Sequence, residues 1–161
     1  MIVLVMGVSG AGKSVIGEAL AKDLGWPFLD GDDFHPAENV AKMASGVPLE
    51  DTDRWPWLDA VNREILRLEQ HGESAVLACS ALKESYRRRL AAGVKRLRVV
   101  FLEGEFGLIH ERLAHRKHRY MPASLLESQF ATLEPPAGAL RVDVAAPVEE
   151  CVQKIKQALG T

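Results

Sequence analysis

The residues with the clearest chemistry form a glycine-rich segment near the start of the chain. The segment matches the phosphate-loop pattern G-x-x-x-x-G-K-[ST] at every fixed position, with an apolar strand pattern before it and an amphipathic helix pattern after it. Glycines let the backbone N–H groups of such a loop converge on phosphate oxygens. We expect Lys13 to reach the β- and γ-phosphates and Ser14 to offer its hydroxyl to Mg²⁺. The predicted nucleotide-binding residues are Gly7, Val8, Ser9, Gly10, Ala11, Gly12, Lys13 and Ser14.

Two aspartates, Asp30 and Asp32, form a D-x-D pattern after the second apolar run. Ligands of a parallel α/β sheet bind beyond the carboxyl ends of its strands, so this pattern is expected near the phosphate loop. One carboxylate can hold Mg²⁺ through water, and the other can accept the proton of an acceptor hydroxyl. The alternative is an acidic turn that caps the next helix.

Three polar residues follow the aspartates: His35, Asn39 and Lys42. A helix that begins at Pro36 places Asn39 and Lys42 on one face by their i, i+3 spacing, and His35 lies just before its N-terminus. Amide and imidazole groups bind hydroxyls and a lysine binds a carboxylate, so this set suits a polyhydroxy acid as the acceptor. The alternative is a polar helix face that is only solvated.

Short apolar runs alternate with longer amphipathic patterns along the chain, which predicts strands that alternate with helices. Strands are predicted near residues 2–6, 27–30, 74–79, 97–102 and 139–144. Helices are predicted near residues 13–24, 36–43, 53–72, 83–92, 106–115, 124–133 and 148–159. This alternation is typical of an α/β fold, with a parallel sheet and helices on both of its faces.

Length and charge narrow the class of protein further. The chain has 161 residues and a formal net charge of −2, so we expect one domain over residues 1–161. The near balance of basic and acidic residues gives no electrostatic reason to expect a nucleic-acid or membrane partner. The apolar first residues run directly into the glycine-rich loop, and no apolar run reaches the roughly 18 residues that span a bilayer. We therefore expect a cytoplasmic protein.

Motifs beyond the phosphate loop resemble those of the gluconokinase family, and they occur in order along essentially the whole chain. The runs His-Pro, Lys-Met-Ala-Ser-Gly, Pro-Trp-Leu and Cys-Ser-Ala-Leu-Lys are specific to that family, whereas the phosphate loop is not. The matching segments are residues 6–14, 28–32, 35–36, 42–46, 48–49, 53–54, 56–58, 79–83, 86–87, 128–130 and 133–134.

The resemblance implies an adenylate-kinase-like P-loop fold with five parallel strands in the order 2-3-1-4-5. It also implies transfer of the γ-phosphoryl group of ATP to the 6-hydroxyl of D-gluconate with Mg²⁺, and a homodimer. By similarity to the related shikimate kinases, Asp30 would orient the Mg²⁺ shell and Asp32 would be the base that faces the acceptor hydroxyl. Further substrate-binding residues on this basis are Arg54 near the carboxylate and Ser80 and Lys83 in the pocket wall. Gln129 is predicted to bind substrate as a pocket amide, and the alternative is an exposed helix residue.

The resemblance also implies a small basic lid at about residues 116–122. Arg112 or Arg116 would lie near the adenine and the phosphates, and we predict that Arg116 is catalytic. The run expected in the family is Arg-Lys-Gly-His-Phe, so this chain exchanges a flexible glycine for histidine and a titratable histidine for a fixed cation. The departures from the family run are His118, Arg119 and Tyr120.

Two other functions stay open at the level of the sequence. Shikimate-type and nucleotide kinases use the same core, although nucleotide acceptors usually need a more apolar lining than His35, Asn39 and Lys42 supply. A nucleotide-binding regulator without acceptor chemistry would need neither the D-x-D pattern nor a basic lid. We therefore favour an enzyme.

Overall fold

The computed structural model of the protein describes residues 1–115 and 123–160. A short 3-10 helix, Gly31–Phe34, lies between the second strand and the second α-helix. The strands in the described ranges are β1 (Ile2–Met6), β2 (Phe28–Asp30), β3 (Ala75–Ala78), β4 (Leu97–Glu103) and β5 (Leu140–Asp143). The α-helices there are α1 (Lys13–Leu24), α2 (Ala37–Ala44), α3 (Asp51–Gln70), α4 (Glu84–Leu90), α5 (Phe106–Ala114), α6 (Ala123–Thr132) and α7 (Val148–Leu159).

The strands form one parallel sheet in the order β2-β3-β1-β4-β5. β1 lies at the centre, and each of its residues is fully buried, because a central strand covered on both faces has to be continuously apolar. Val5 of β1 is in register with Ala78 of β3 and Val100 of β4, so these strands end at the same edge. The predicted parallel sheet and its strand order are confirmed.

Helices cover both faces of the sheet. Alternate residues of β1 point to opposite faces and so belong to two different cores. Val3 and Val5 belong to a core formed with α1, α5, α6 and α7. Ile2, Leu4 and Met6 belong to a second core, formed with α3 and α4. Among the helices of the described ranges, none is both long and apolar enough to cross a membrane.

Two local features differ from the prediction. The side chain of Asp30 accepts a hydrogen bond from the backbone N–H of Asp32 at 3.0 Å, so the D-x-D segment forms a 3-10 turn. The third helix begins at Asp51, before the predicted start, because Asp53 Oδ2 accepts from the backbone N–H of Glu50 at 2.9 Å and closes the helix N-terminus. Pro56 consequently lies beyond the first turn of α3.

Candidate active site

The phosphate loop connects the carboxyl end of β1 to the start of α1. Gly10 and Gly12 have φ values of 83° and 94°, a left-handed region that glycine adopts without strain. A Cβ on Gly10 would lie 2.6 Å from Cγ of Leu113, so the loop also approaches α5 too closely for a side chain at this position. The sequence therefore needs these glycines to hold the loop at the N-terminus of α1, where an anion is favoured.

Lys13 lies along the phosphate loop. Its Nζ donates hydrogen bonds to the backbone carbonyls of Gly7 and Val8, both at 2.9 Å. Ser14, in the first turn of α1, is exposed. An ammonium group and an accessible hydroxyl therefore lie at the same end of α1, as the motif predicts.

The two aspartates lie at the carboxyl end of β2 and in the turn after it. The side chain of Asp32 is 62% exposed, whereas Asp30 is half-buried. Gly31 packs on β3 so closely that a Cβ there would lie 3.0 Å from the Ala78 carbonyl oxygen and 3.2 Å from Sγ of Cys79. Gly31 thus brings both carboxylates close to the end of β3. Burial raises the pKa of the Cys79 thiol to about 12, and the negative charge of Asp32 adds to this effect.

His35, Asn39 and Lys42 lie together at α2, but two of them are bonded to α3. Asn39 is buried, and its Nδ2 donates to the backbone carbonyl of Asp53 at 2.8 Å. Lys42 Nζ lies 2.9 Å from Asp53 Oδ2, and this hydrogen bond raises the pKa of Lys42 and lowers that of Asp53. His35 Nε2 lies 4.0 Å from Asp32 Oδ1. The structure brings His35 to the aspartate pair, whereas Asn39 and Lys42 hold α2 against α3.

Arg54 and Lys83 converge on the ring of Tyr86. Arg54 Cζ and Lys83 Nζ lie 5.2 and 5.5 Å from the ring centroid. The Tyr86 hydroxyl donates to Asp51 Oδ1 at 2.5 Å, and Lys83 Nζ lies 3.4 Å from the same carboxylate. Burial, followed by this hydrogen bond, raises the pKa of Tyr86 to about 12, and the hydrogen bond lowers the pKa of Asp51. Two cations therefore meet at the Tyr86 ring. Asp51 was not predicted as a residue of this cluster, because one aspartate at a helix start indicates only capping.

The turn that leads from β3 to α4 contains Ser80 and Ala81. Ala81 has a φ of 44°, which is uncommon for a residue other than glycine. The guanidinium of Arg87 donates to the carbonyls of Ala81 at 2.8 Å, Leu82 at 3.1 Å and Glu134 at 2.7 Å. Arg87 therefore holds this unusual turn in place from the side of α4.

The next two arginines of α4 have other partners. Arg88 pairs with Glu84 at 3.3 Å, and its side chain is 77% exposed. Arg89 pairs with Asp59 of α3 at 2.8 Å. Of the three consecutive arginines, Arg87 is thus the one that contacts the turn beside the site, which the sequence alone did not determine.

Gln129 of α6 contacts the phosphate loop. Its Oε1 accepts from the backbone N–H of Ser9 at 2.7 Å, and its Nε2 donates to Ser9 Oγ at 3.1 Å. Beyond the end of α6, the backbone N–H of Glu134 donates to the Leu82 carbonyl at 2.8 Å. The side-chain amide of Gln129 therefore lies against the phosphate loop, because α6 crosses that loop, and its binding of the acceptor stays a prediction.

The predicted lid, residues 116–122, lies outside the described residues, and so do Arg116, His118, Arg119 and Tyr120. Arg112 lies in the last turn of α5 and is exposed. The next residue, Leu113, approaches Gly10 of the phosphate loop. α5 therefore packs beside the phosphate loop, and a contact of Arg112 with a nucleotide stays a prediction.

Ser14 and Asp30 are the residues that could hold Mg²⁺. A hydroxyl and a carboxylate are hard oxygen donors, and Mg²⁺ usually keeps several waters and binds substrate phosphates as well. Within residues 1–115 and 123–160, no group of three or more His, Cys, Asp or Glu side chains could hold a metal ion. The donors therefore fit Mg²⁺ held largely through water and phosphate.

Comparison with known proteins agrees with this geometry. The shikimate kinase family model matches residues 9–133. The chain is 44% identical to a probable gluconokinase of Mus musculus, over 98% of this chain and 97% of the mouse protein. It is 41% identical to the thermoresistant gluconokinase of Escherichia coli strain K12, over 94% of this chain and 89% of that one. A gluconokinase crystal structure from Sinorhizobium meliloti 1021 superposes with a TM-score of 0.88 at 47% identity, over 98% of this chain and 90% of that one.

A phosphate loop after the central strand and a pair of aspartates at the end of a nearby strand, on a parallel sheet of this order, define an ATP-dependent P-loop kinase with a shikimate- and adenylate-kinase-like fold. Similarity to gluconokinases over nearly the whole length of the chain identifies the family within this class of kinases. The chain belongs to the gluconokinase family, as the resemblance predicted.

Proposed function

We propose that this kinase transfers the γ-phosphoryl group of ATP to the 6-hydroxyl of D-gluconate, which gives 6-phospho-D-gluconate and ADP. The observation that carries the proposal is the 44% identity with the probable mouse gluconokinase over 98% of this chain. The family-specific run at residues 42–46 includes the end of α2, and the run at residues 79–83 follows β3; α2 and β3 flank the aspartate pair. The similarity therefore includes the side of the site where an acceptor would bind.

The nucleotide half of the reaction rests on the phosphate loop. The phosphates of ATP bind the backbone N–H groups at the start of α1, and Lys13 exchanges its loop carbonyls for phosphate oxygens. Its positive charge stabilises the charge that develops on the transferred group. Ser14 and Asp30 would hold Mg²⁺, which neutralises part of the phosphate charge when it is bound.

The acceptor half rests on Asp32 and the nearby cations. Asp32 accepts the proton of the 6-hydroxyl as the hydroxyl oxygen bonds to the γ-phosphorus, and the bond from that phosphorus to the bridging oxygen of ADP breaks. The gluconate carboxylate binds Arg54 and Lys83, with Ser80 beside them. Arg54 Nε supports this assignment, since it is buried and has no hydrogen-bond partner among the described residues.

Shikimate is the alternative acceptor that a specific observation favours, because the shikimate kinase model matches residues 9–133. Both acceptors carry a carboxylate and hydroxyls, so the same cations would suit either. The near full-length identity to gluconokinases favours gluconate.

An ADP-release assay across gluconate, shikimate, related sugar acids and nucleoside monophosphates tests the proposal. We expect gluconate to have the highest kcat/KM by at least about tenfold, or roughly 1.4 kcal/mol of transition-state discrimination. A preference for shikimate or for a nucleoside monophosphate would overturn the gluconate assignment and leave the kinase class intact.

The domain extent, the cellular location, the oligomeric state and the remaining site residues are predicted as well. We propose that residues 1–161 act as one kinase domain, that the protein is cytoplasmic, and that it forms a homodimer. Arg112 and Arg116 are proposed to contact the nucleotide, and Arg116 to act in catalysis. Asn39 and Lys42 are proposed to contribute to the acceptor side from their positions between α2 and α3.

A further inference from the structure

The ring of His35 is fixed by its neighbours. It stacks on Trp57, with the ring centroids 4.1 Å apart and an angle of 18° between the planes. Trp57 is 1% exposed, and its Nε1–H donates to the backbone carbonyl of Gly31 at 2.7 Å. Because Gly31 lies between Asp30 and Asp32, the aromatic platform under His35 is bonded to the segment that carries the proposed base.

Hydrogen bonds around Asn39 determine which nitrogen of His35 carries the proton. Asn39 Nδ2 donates to the backbone carbonyl of Asp53 at 2.8 Å, and a carbonyl only accepts, so this atom is the amide nitrogen and not the amide oxygen. The same nitrogen lies 3.2 Å from His35 Nδ1. An amide nitrogen only donates, so Nδ1 has to accept and carries no proton. The proton of the neutral ring is therefore on Nε2.

A second proton on this ring is unfavourable. It would have to bind Nδ1, against the amide hydrogen of Asn39. The His35 side chain is 4% exposed, and burial lowers its pKa; the charge of Asp32 opposes this effect and that of Arg54 adds to it. The Lys42–Asp53 ion pair on the neighbouring face is engaged internally. His35 is thus a neutral imidazole with one donor at a fixed position.

That donor faces Asp32. His35 Nε2 lies 4.0 Å from Asp32 Oδ1, which is longer than a hydrogen bond, but Asp32 is 62% exposed and its carboxylate has room to rotate. Hydrogen bonds of catalytic groups are commonly long without substrate and shorten when it binds. A donor held at Oδ1 leaves Oδ2 to face an acceptor hydroxyl.

We propose that Asn39, His35 and Asp32 form a positioning relay, in which His35 Nε2–H donates to one carboxylate oxygen of Asp32 and directs the other at the acceptor hydroxyl. No proton passes through the ring. His35 is a positioning residue that acts through Asp32, whereas the sequence-based prediction had His35 and Asn39 bind substrate directly. The relay rests on the proposed role of Asp32 as the base.

The proton position can be measured without any substrate. In a two-bond ¹H–¹⁵N correlation spectrum of protein labelled at its five histidines, the His35 signals are assigned by their loss in His35→Gln. We expect a protonated Nε2 and an unprotonated Nδ1 at about pH 7. An Nδ1–H tautomer or a doubly protonated ring would overturn the relay. This result does not depend on which acceptor the enzyme uses.

Kinetics then separate positioning from substrate binding. We expect His35→Leu to lower kcat by at least about tenfold and to leave the KM values for ATP and gluconate within about threefold, because only the base is misplaced. His35→Gln, whose amide can donate in the same direction, should recover most of the loss. His71→Gln, at the exposed far end of α3, is the matched control and should keep the kcat of the parent.

The kinetic results that would overturn the relay differ from those that would overturn the gluconate assignment. A raised KM for gluconate with unchanged kcat in His35→Leu would overturn the relay, because it would mean that His35 binds the acceptor directly. Equal losses in the leucine and glutamine variants would also overturn it, because the donor would then be irrelevant. Failure of the gluconate assignment appears instead as a parent enzyme that prefers another acceptor, and the same three variants are then compared with that acceptor.

Discussion

Gln129 and Ser9 form two hydrogen bonds although 120 residues separate them in the chain. The contact fixes the phosphate loop to α6. We expect Gln129→Ala to raise the KM for ATP by about threefold to tenfold, since loss of a neutral hydrogen bond costs about 1 kcal/mol. The KM for gluconate should stay within about twofold of the parent value. Initial rates with each substrate varied in turn measure both constants.

Glu127→Ala provides the control for this prediction, because Glu127 lies on the same helix and is exposed. It should leave both KM values unchanged. A rise in the KM for gluconate alone in Gln129→Ala would contradict a role of this contact in ATP binding and would favour Gln129 as an acceptor-pocket amide.

Arg87→Ala tests the turn after β3. Ala81 has a left-handed backbone, which costs on the order of 1–3 kcal/mol and persists only where the surroundings hold it. Without the three hydrogen bonds from Arg87, we expect the free energy of unfolding to fall by about 2 kcal/mol and the KM for gluconate to rise. Urea denaturation and acceptor kinetics measure the two effects. Arg88→Ala, on the exposed side of α4, should change the free energy of unfolding by less than about 0.5 kcal/mol; equal losses in both variants would be inconsistent with this account.

Asp32→Asn keeps the shape of the side chain but cannot accept a proton. We expect gluconate to bind with nearly parental affinity by calorimetry, while kcat falls by at least about 100-fold in the ADP-release assay. Asp33→Asn changes the adjacent exposed carboxylate and should retain activity. Near-parental turnover of Asp32→Asn would show that Asp32 is not the base.

The buried imidazole of His35 should make the folded state sensitive to acid. Burial lowers its pKa, so between that lowered value and the ordinary histidine value of about 6.5 the unfolded chain binds more protons than the folded chain. This contribution to stability is complete above about pH 6.5 and is lost as the pH falls below it. Urea denaturation at about pH 7.5 and 5.5 should show a smaller decrease for His35→Gln than for the parent. An identical decrease would mean that His35 titrates alike in the folded and unfolded chains.

Much of the fold could be predicted because its determinants are local. The uninterrupted apolar run of β1, the glycines after it and the alternation of patterns indicated a parallel sheet with a phosphate loop at its centre. The aspartate pair was predicted near this loop because strand ends share one edge of the sheet.

The rest of the site depends on contacts between distant segments. A polar pattern at α2 could not show that Asn39 is buried and bonded to the backbone of Asp53, because inward amides and solvated amides give the same spacing. The partners of Gln129 and Arg87 likewise follow from how α6 and the segment after it cross the phosphate loop and the β3–α4 turn. Periodicity carries no information on such crossings.

The close packing of Gly31 on Cys79 affects the reactivity of the Cys79 thiol. Thiolates, not thiols, react with peroxides and electrophiles, and a pKa of about 12 leaves almost no thiolate at Cys79 at neutral pH. Cys151 is buried as well, and burial raises its pKa too. The two cysteines of the chain, including the one beside Asp30 and Asp32, are therefore not readily oxidised. Iodoacetamide or mild peroxide should therefore leave the turnover of the enzyme unchanged, and a loss of turnover on either treatment would show that one of these thiols is reactive.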